Sequence, residues 1–386
     1  MSRSAQQRKV VTRRQALAGI GGAVLGTAVW DAPSARAGDV GWLADVTRAP
    51  KSVPREKTGY LAPLLVTADG QPIRTLAAWK KRRRELRAAW MRFLGPMPAE
   101  RPPLNLKVLA EQHVPGCVRQ HVRYDSEPGR AVEGYLLRPD KPTGGGKRAG
   151  VVALHATTRL TIDQIAGVAG RESRQIGLKL CRRGFVVFCP RNFLWRPAGA
   201  DEGTTYLDAV RRFKKRHPKT LGMRKMLYDS MRAVDMLESL PDVDSKRIGA
   251  CGHSLGGKET LYLAAFDERI QAAVASEAGM GFRSTNWDAP WYLGKAIHAA
   301  RFPLNHHQLV ALIAPRPFLL LAGESGSRGV SDGDRSWPFL EAAQPICRLY
   351  GKPARIGMFN HHRGHDVPPE AFRRMAQWLE TYLATG

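Results

Sequence analysis

The feature that most constrains the fold is a regular alternation of apolar runs and helical segments, which begins near residue 132. Three of these runs, AGVVALHA at 149–156, GFVVFCPR at 184–191 and RPFLLLAGE at 316–324, are apolar at nearly every position. Strands of this composition are typically buried on both faces, because helices cover the sheet on either side. The alternation therefore predicts an α/β fold with a mainly parallel central sheet and helices on both faces. Helices are predicted over 76–93, 222–240, 256–266, 305–313, 336–350 and 368–384.

The segment GACGHSLGGK, at residues 249–258, contains a G-x-S-x-G pattern between a predicted strand and a predicted helix. In this context the serine of a nucleophile elbow sits on a tight strand-to-helix turn. Glycines at neighbouring positions give such a turn room, because they have no side chains that would collide; here they are Gly252, Gly256 and Gly257. A phosphate-binding loop would need Ser or Thr after its lysine, but Lys258 is followed by Glu259. Ser254 is therefore predicted to be a nucleophile.

A serine needs a general base, and in the α/β-hydrolase fold the chain order is Ser, then acid, then His. The segment FNHHRGHDVPPEAF, at 359–372, follows the last predicted strand and carries three histidines. His365 directly precedes the last helix and is the predicted base. His361, His362 and His365 together resemble a metal site, but no separate carboxylate motif accompanies them, so no metal is predicted.

The sequence leaves the triad acid open among three carboxylates. Asp332 is the first choice, because it lies in the loop after strand 316–324 and about one turn before Ser336, the predicted cap of the next helix. Asp334 is close enough to that helix to serve as its N-terminal carboxylate instead. Glu277 ends the strand that follows the helix after Ser254, and is the alternative acid.

Two backbone N–H groups are predicted to bind the oxyanion of the reaction. The first belongs to Leu255, directly after the nucleophile, at the start of a helix. The second belongs to Ala156 or Thr157, in the loop after strand 149–156. His155, at the end of that strand, is predicted to be structural.

The N-terminus predicts export. Residues 12–17 (TRRQAL) form a twin-arginine pattern, residues 16–29 are mildly apolar, and Ala35-Arg36-Ala37 is an A-x-A cleavage signal. Residues 1–37 are therefore predicted to be a twin-arginine signal peptide, with the mature protein periplasmic or extracellular. A membrane anchor is the alternative, but the apolar run is short and rich in glycine, so no stable membrane span is predicted.

The rest of the chain is predicted to form two parts. Residues 38–130 are less regular and are predicted to be an N-terminal extension packed on the catalytic domain. Residues 131–386 are predicted to be that α/β-hydrolase domain.

The net charge of +26 is unusual for 386 residues and favours acidic partners such as uronate-bearing polysaccharides. No motif supports nucleic-acid binding, which is not predicted. The densest basic run, KKRRR at 80–84, lies in a predicted helix and is interpreted as a solvated face. The five cysteines are odd in number and have no C-x-x-C spacing, so buried thiols are expected, although one bridge remains open.

Over roughly residues 60–386, the chain resembles the exported bacterial α/β-hydrolases of the dienelactone-hydrolase-like or acetylxylan-esterase-like kind. The motifs that carry this resemblance are GHSLGGKETLYLAAFDERIQAAVASEAG, HHQLVALIAPRPFLLLAGE, DGDRSWPF and GHDVPPEAF. In combination they are much more specific than the G-x-S-x-G pattern alone. The resemblance implies an ester-hydrolysing enzyme that needs no cofactor.

Parts of the chain also resemble the glucuronoyl esterases. Ser254 and Lys258 match that family's Ser-x-x-x-Lys, and residues 277–279 match its Glu-x-Gly. The resemblance implies that Lys258 contacts a uronate sugar and that Glu277 can be the triad acid. Those esterases typically carry Arg directly after the nucleophile, where this chain has Leu255. The aromatic segment STNWDAPWYLG, at 284–294 with Trp287, is either a sugar-stacking wall or a packed cap loop.

The predicted function is that of a serine esterase acting on a carboxylic ester of a carbohydrate, acetyl or uronoyl, through a Ser-His-acid triad and an acyl-enzyme. The first alternative is a serine peptidase of the prolyl-oligopeptidase type, although no β-propeller precedes the catalytic segment. The second is a non-catalytic protein that binds acidic polymer. The sequence does not give the oligomeric state.

Overall fold

A nine-stranded sheet organises the described part of the chain. In spatial order its strands run β1-β2-β3-β5-β4-β6-β7-β8-β9. Pairing is parallel from β5 through β4, β6, β7 and β8 to β9, and antiparallel among β1, β2, β3 and β5. The mainly parallel sheet predicted from the sequence is confirmed. The strands are β1 (Lys107–Val114), β2 (Cys117–Glu127), β3 (Arg130–Arg138), β4 (Arg148–Leu154), β5 (Val186–Pro190), β6 (Val243–His253), β7 (Ile270–Ser276), β8 (Phe318–Ala322) and β9 (Ile356–Asn360).

The computed structural model describes residues 38–53, 61–141, 146–195, 205–324 and 333–384, all of which belong to one compact unit. The predicted signal peptide, 1–37, and Asp332 lie outside these ranges. Within them, no helix combines the length and the apolar composition that a membrane crossing requires.

Helices cover both faces of the sheet, and several differ from the sequence prediction. The helices are α1 (Leu43–Thr47), α2 (Leu76–Leu94), α3 (Thr161–Ile165), α4 (Ile176–Cys181), α5 (Tyr206–Arg216), α6 (Gly222–Glu238), α7 (Leu255–Phe266), α8 (His306–Ile313), α9 (Trp337–Glu341), α10 (Gln344–Leu349) and α11 (Pro369–Tyr382). The helix predicted over 336–350 is divided into α9 and α10, and Pro345, which lacks a backbone N–H, lies in the first turn of α10. Helix α5 has no counterpart in the prediction, although Thr205 and Asp208 form a capping box at its start.

Successive residues of the central strands enter two separate apolar cores. Val151 and Ala153 of β4 join the core beneath α4 and α11, whereas Val152 and Leu154 join the core beneath α6, α7 and α8. This alternation is what a pleated strand buried on both faces requires. Each fully buried Val or Leu side chain contributes about 1.5–3 kcal/mol relative to leaving it exposed, so both helical layers are held firmly.

The segment before residue 131 is joined to the rest by pairing and packing. Strands β1 and β2 extend the sheet through β3. Trp90 of α2 is fully buried and donates from Nε1 to Oε1 of Gln308, 3.0 Å away, in α8. Within the basic run of α2, Lys80 and Arg84 are exposed as expected, but Arg83 is half-buried and donates to the Leu312 carbonyl. The boundary at 130/131 stays a prediction.

Candidate active site

Ser254 lies on the turn between β6 and α7, at the carboxyl edge of the parallel strands. Its φ of 59° and ψ of −114° are in the left-handed half of backbone space. Such a conformation costs a non-glycine residue about 1–3 kcal/mol and persists only where the surroundings enforce it. A Cβ on Gly256 would lie 2.0 Å from the Leu154 carbonyl oxygen, so the start of α7 fits against β4 only because that residue is glycine. This is the backbone geometry expected of a nucleophile elbow.

His365 reaches Ser254 from the loop between β9 and α11. Its Nε2 lies 2.9 Å from Ser254 Oγ, so with the proton on Nδ1 the hydroxyl can donate to Nε2. The loop is anchored by Arg174, which donates from Nε to Asp366 Oδ1 at 2.7 Å and also to the His365 carbonyl. Both Ser254 and His365 are partly exposed, and a substrate can therefore reach the pair.

Glu277 is the carboxylate that the structure brings to His365. Its side chain is fully buried at the end of β7, and its Oε2 lies 3.4 Å from His365 Nδ1. Its other oxygen, Oε1, lies 3.1 Å from His361 Nε2. The distance to His365 is long for a hydrogen bond, which is common in catalytic groups without substrate. The residue has a φ of 53°, so the turn that aims its side chain is also left-handed.

The other predicted acids are placed differently. Asp334 accepts a hydrogen bond from Asn360 Nδ2 at 3.0 Å, and Asp332, the first choice from the sequence, lies outside the described residues. His362 hydrogen-bonds through Nδ1 to the Glu324 carbonyl at 3.0 Å. His361 and His365 thus both face Glu277, and of the three histidines His365 is the one that lies within hydrogen-bond distance of Ser254.

The predicted oxyanion donors flank Ser254. Leu255 is the first residue of α7, where backbone N–H groups have no partner within the helix. In the loop after β4, His155 Nε2 accepts from the Asn192 backbone N–H at 3.1 Å, and its Nδ1 donates to the Ala156 carbonyl at 2.8 Å. Burial lowers the pKa of His155 to about 4, which keeps the ring neutral in this role. Because the peptide is trans, fixing that carbonyl also fixes the direction of the Thr157 N–H.

The two predicted substrate contacts, Lys258 and Trp287, lie inside the protein. The Lys258 ammonium donates to the Ala278 carbonyl at 2.6 Å and to Thr285 Oγ1 at 2.9 Å, and lies 4.0 Å from the centre of the Trp287 ring. Trp287 is 0% exposed and donates from Nε1 to the Gly279 carbonyl. In this conformation Trp287 belongs to a packed loop, which is one of the two interpretations that the sequence left open.

A buried polar group lies behind the elbow and was not predicted from the sequence. Glu259 is buried, and its Oε1 accepts from Asn192 Nδ2 at 2.8 Å. Burial raises the pKa of Glu259 to about 8, so the side chain is mostly protonated at neutral pH. Asn192 thereby joins α7 to His155 and the oxyanion loop. The position of Asn192, directly after the predicted strand 184–191, could have indicated this role, because residues that follow parallel strands lie at the same edge of the sheet as Ser254.

The chain is similar to several known proteins. Residues 132–279 match the dienelactone hydrolase family. YtaP of Bacillus subtilis (strain 168) is 28% identical over 162 residues, which are 40% of this chain and 53% of that protein. Carbohydrate esterase MZ0003, from an unknown prokaryotic organism, is 30% identical over 138 residues, 31% of each chain. The structure of a glucuronoyl esterase from Solibacter usitatus aligns with a TM-score of 0.65 and 20% identity, over 85% of this chain and 99% of that one.

These comparisons confirm the predicted α/β-hydrolase fold and the resemblance to dienelactone hydrolases and glucuronoyl esterases. In sequence, the chain spans about half the length of YtaP and about a third of MZ0003. The matched family segment runs from β3 to the residues just after β7, so it contains Ser254 and Glu277 but ends before His365.

Proposed function

We propose that this protein is a serine esterase that hydrolyses a carboxylic ester on a carbohydrate. The observation that carries the proposal is the line of side chains from Glu277 through His365 to Ser254, on a strained elbow at the carboxyl edge of the sheet. Similarity to a carbohydrate esterase and to the fold of a glucuronoyl esterase supports the substrate class.

In the proposed mechanism, Ser254 Oγ attacks the ester carbonyl while His365 Nε2 takes its proton. Glu277 stabilises the imidazolium that forms, because its buried carboxylate faces the opposite ring nitrogen. The Leu255 N–H and an N–H of the 156–157 loop stabilise the oxyanion. His365 then protonates the leaving alcohol, and water activated by the same imidazole releases the acyl group from Ser254.

Two features bear on the ester. Leu255 presents no guanidinium beside Ser254, so the proposed oxyanion stabilisation relies on backbone N–H groups. Lys258 is held by the Ala278 carbonyl and Thr285, so in this mechanism it shapes the loop beside Glu277. Both acetyl and uronoyl esters remain candidate substrates on these grounds, and the choice between them is experimental.

The test is labelling of the purified protein with a fluorophosphonate, alongside Ser254→Ala, and assay of both proteins on p-nitrophenyl acetate and a methyl glucuronate ester. We expect labelling and turnover in the parent and neither in the variant. Folded parent protein that is neither labelled nor active would reject the esterase and favour a non-catalytic binder of acidic polymer. The ratio of the two turnover rates assigns the acyl group.

We also propose that residues 1–37 direct export by the twin-arginine route. The support is the twin-arginine pattern followed by an A-x-A site. Mass spectrometry of the protein expressed in a bacterial host should find a mature N-terminus at Gly38 in the periplasm. Changing Arg13 and Arg14 to Lys should leave uncleaved protein in the cytoplasm, and unchanged export in that variant would reject the route.

A further inference from the structure

A cavity of about 810 Å³ lies apart from the candidate active site and takes no part in the proposed mechanism. Its walls come from the β2–β3 turn, the segment after β5, and helices α5 and α6. Among the lining residues are seven Lys or Arg side chains but only two acids, Glu133 and Asp229. The cavity is therefore strongly cationic.

Some of these basic side chains lie close to buried carboxylates, and others are exposed to solvent. Lys225 forms ion pairs with Glu127 and Asp229, and Arg191 lies 3.8 Å from Glu133. Four others are exposed at the rim and form none of the ion pairs found among the described residues; they are Arg123, Arg130, Lys215 and Arg216.

The rim cations repel one another. Burial, and then the positive charge of Arg130, lower the pKa of Arg216, so these two cavity-lining guanidinium groups are near enough to repel each other. Placing like charges together costs free energy that a bound anion would recover, and it would do so most where low-dielectric walls focus the field. The chemistry of the rim thus selects an anionic ligand.

The cavity opens at the same edge of the sheet as Ser254. It lies over β3 and β5, and Ser254 follows β6. In the order β3-β5-β4-β6, strand β6 is two spacings from β5 and three from β3, or about 10–14 Å at ~4.8 Å per spacing. Trp195, in the cavity wall, contacts the His155 ring with 5.0 Å between ring centres. His155 in turn abuts the start of α7, where its carbonyl lies 3.0 Å from the position of a Cβ on Gly256.

Half-buried aromatic side chains lie between the cavity wall and segment 284–294. Trp195 contacts Tyr206 at 5.1 Å between ring centres, and Tyr206 contacts Trp291 at 5.6 Å. Rings of this kind combine an apolar face with a polar tip, which suits the apolar C–H faces and hydroxyl rims of sugar rings. Trp291, and not the fully buried Trp287, is the member of segment 284–294 that is available for such a contact.

We propose that this cavity is a second substrate-binding site, which holds an anionic group on a sugar a few residues along the chain from the ester cleaved at Ser254. The inference rests on the proposed esterase function and narrows it. The substrate would be an acidic oligosaccharide or polysaccharide that carries free carboxylates, or sulfates, close to its ester groups.

Binding tests the site without requiring catalysis. The full-length protein is titrated by calorimetry with tetragalacturonate, maltotetraose and sulfated maltotetraose. The test variant is Arg130→Gln with Lys215→Gln, and the matched control is Lys80→Gln with Arg84→Gln, an equal loss of exposed charge on α2. We expect the parent to bind an anionic tetrasaccharide at least about tenfold more tightly than maltotetraose. The test variant should lose about tenfold, and the control less than about twofold.

The two anionic ligands distinguish carboxylate from sulfate as the group that is bound. Tighter binding of tetragalacturonate would identify the substrate as a polyuronide, and tighter binding of the sulfated sugar would identify it as a sulfated glycan. Binding of neither, or an equal loss in the control variant, overturns the site. Melting temperatures verify that both variants are folded. Because no ester is cleaved in this assay, inactivity on small esters would reject the esterase proposal separately. If both proposals hold, the test variant keeps its kcat/KM on p-nitrophenyl acetate and loses about tenfold on partly methyl-esterified tetragalacturonate, mainly through KM.

Discussion

Replacing Glu277 with Gln isolates the charge of the proposed triad acid. Gln has nearly the same shape, so the left-handed turn at position 277 and the packing around it are retained. The substitution removes the negative charge that faces His365 Nδ1 at 3.4 Å and His361 Nε2 at 3.1 Å. It also leaves an amide group that can be oriented to donate to only one of these histidines at a time.

The magnitude follows from the geometry. The imidazolium exists only while Ser254 Oγ is transferring its proton, so its attraction to Glu277 lowers the barrier. Opposite unit charges about 4 Å apart interact by about 4 kcal/mol at an effective dielectric constant of about 20. Each 1.36 kcal/mol is a factor of ten in rate, so Glu277→Gln should lower kcat about a thousandfold.

The assay is kcat on p-nitrophenyl acetate for the parent, Glu277→Gln, Asp334→Asn and Asp332→Asn, with melting temperatures to establish that each variant is folded. Asp334 hydrogen-bonds to Asn360, so its variant should lose less than about tenfold. A thousandfold loss in either aspartate variant, with Glu277→Gln within tenfold of the parent, would refute the reasoning and return the acid to the loop after β8.

Four further predictions follow from buried groups and close contacts. Because burial raises the pKa of Glu259 to about 8, from near 4.5 when unfolded, stability should fall as pH rises through that range, and Glu259→Gln should raise the melting temperature at about pH 8 but hardly at about pH 5. Burial lowers the pKa of His307 to about 4, whereas in the unfolded chain it is near 6.5. As pH falls from about 6.5 to 4, the proton therefore binds the unfolded chain first and the free energy of unfolding decreases. Replacing His307 with Gln should reduce that decrease, measured by urea unfolding, by about 3 kcal/mol. Gly256→Ala should lower both stability and activity, because its Cβ would lie 2.0 Å from the Leu154 carbonyl, whereas Gly41→Ala, which meets no atom within 4 Å, should change neither. All five cysteines are buried, so iodoacetamide should leave the native protein unmodified and add five groups after unfolding without reductant; uptake of three would show a disulfide.

The sequence predicted the fold where local pattern determines structure. The run at 149–156 is apolar at nearly every position because β4 is covered on both faces, and the helix predicted over 76–93 is observed as Leu76–Leu94. The prediction over 336–350 was wrong in detail, since apolar spacing continued past a proline that begins a new helix. Helix α5 was not predicted, although Thr205 and Asp208 have the spacing of a capping box, which indicates the start of a helix.

At the site, local features were predictable and long-range ones were not. Ser254 is identified by its glycines and by the strand and helix on either side, and His365 by its position after the last strand; the structure brings the two within 2.9 Å. The acid and the basic cavity depend on which strand ends are neighbours in space. Arg130 and Lys215 are 85 positions apart and share a rim only because β3 pairs with β5 and α5 packs nearby.

The order of the strands also explains why the carboxylate at the end of β7 can serve a histidine that follows β9. Strand β8 lies between them, so the loop that carries His365 must cross the end of β8 to reach Glu277. The residue at the crossing is Gly323, where a Cβ would lie 2.1 Å from both Glu277 Oε1 and the Gly364 carbonyl. The loop is bonded across this point by the Gly364 N–H, which donates to the Gly323 carbonyl at 2.6 Å. An acid on the loop after β8 would already lie next to β9 and would need no such crossing. The glycine at the end of β8 is therefore what an acid on β7 requires, and it ties the position of Glu277 to a residue outside the proposed triad.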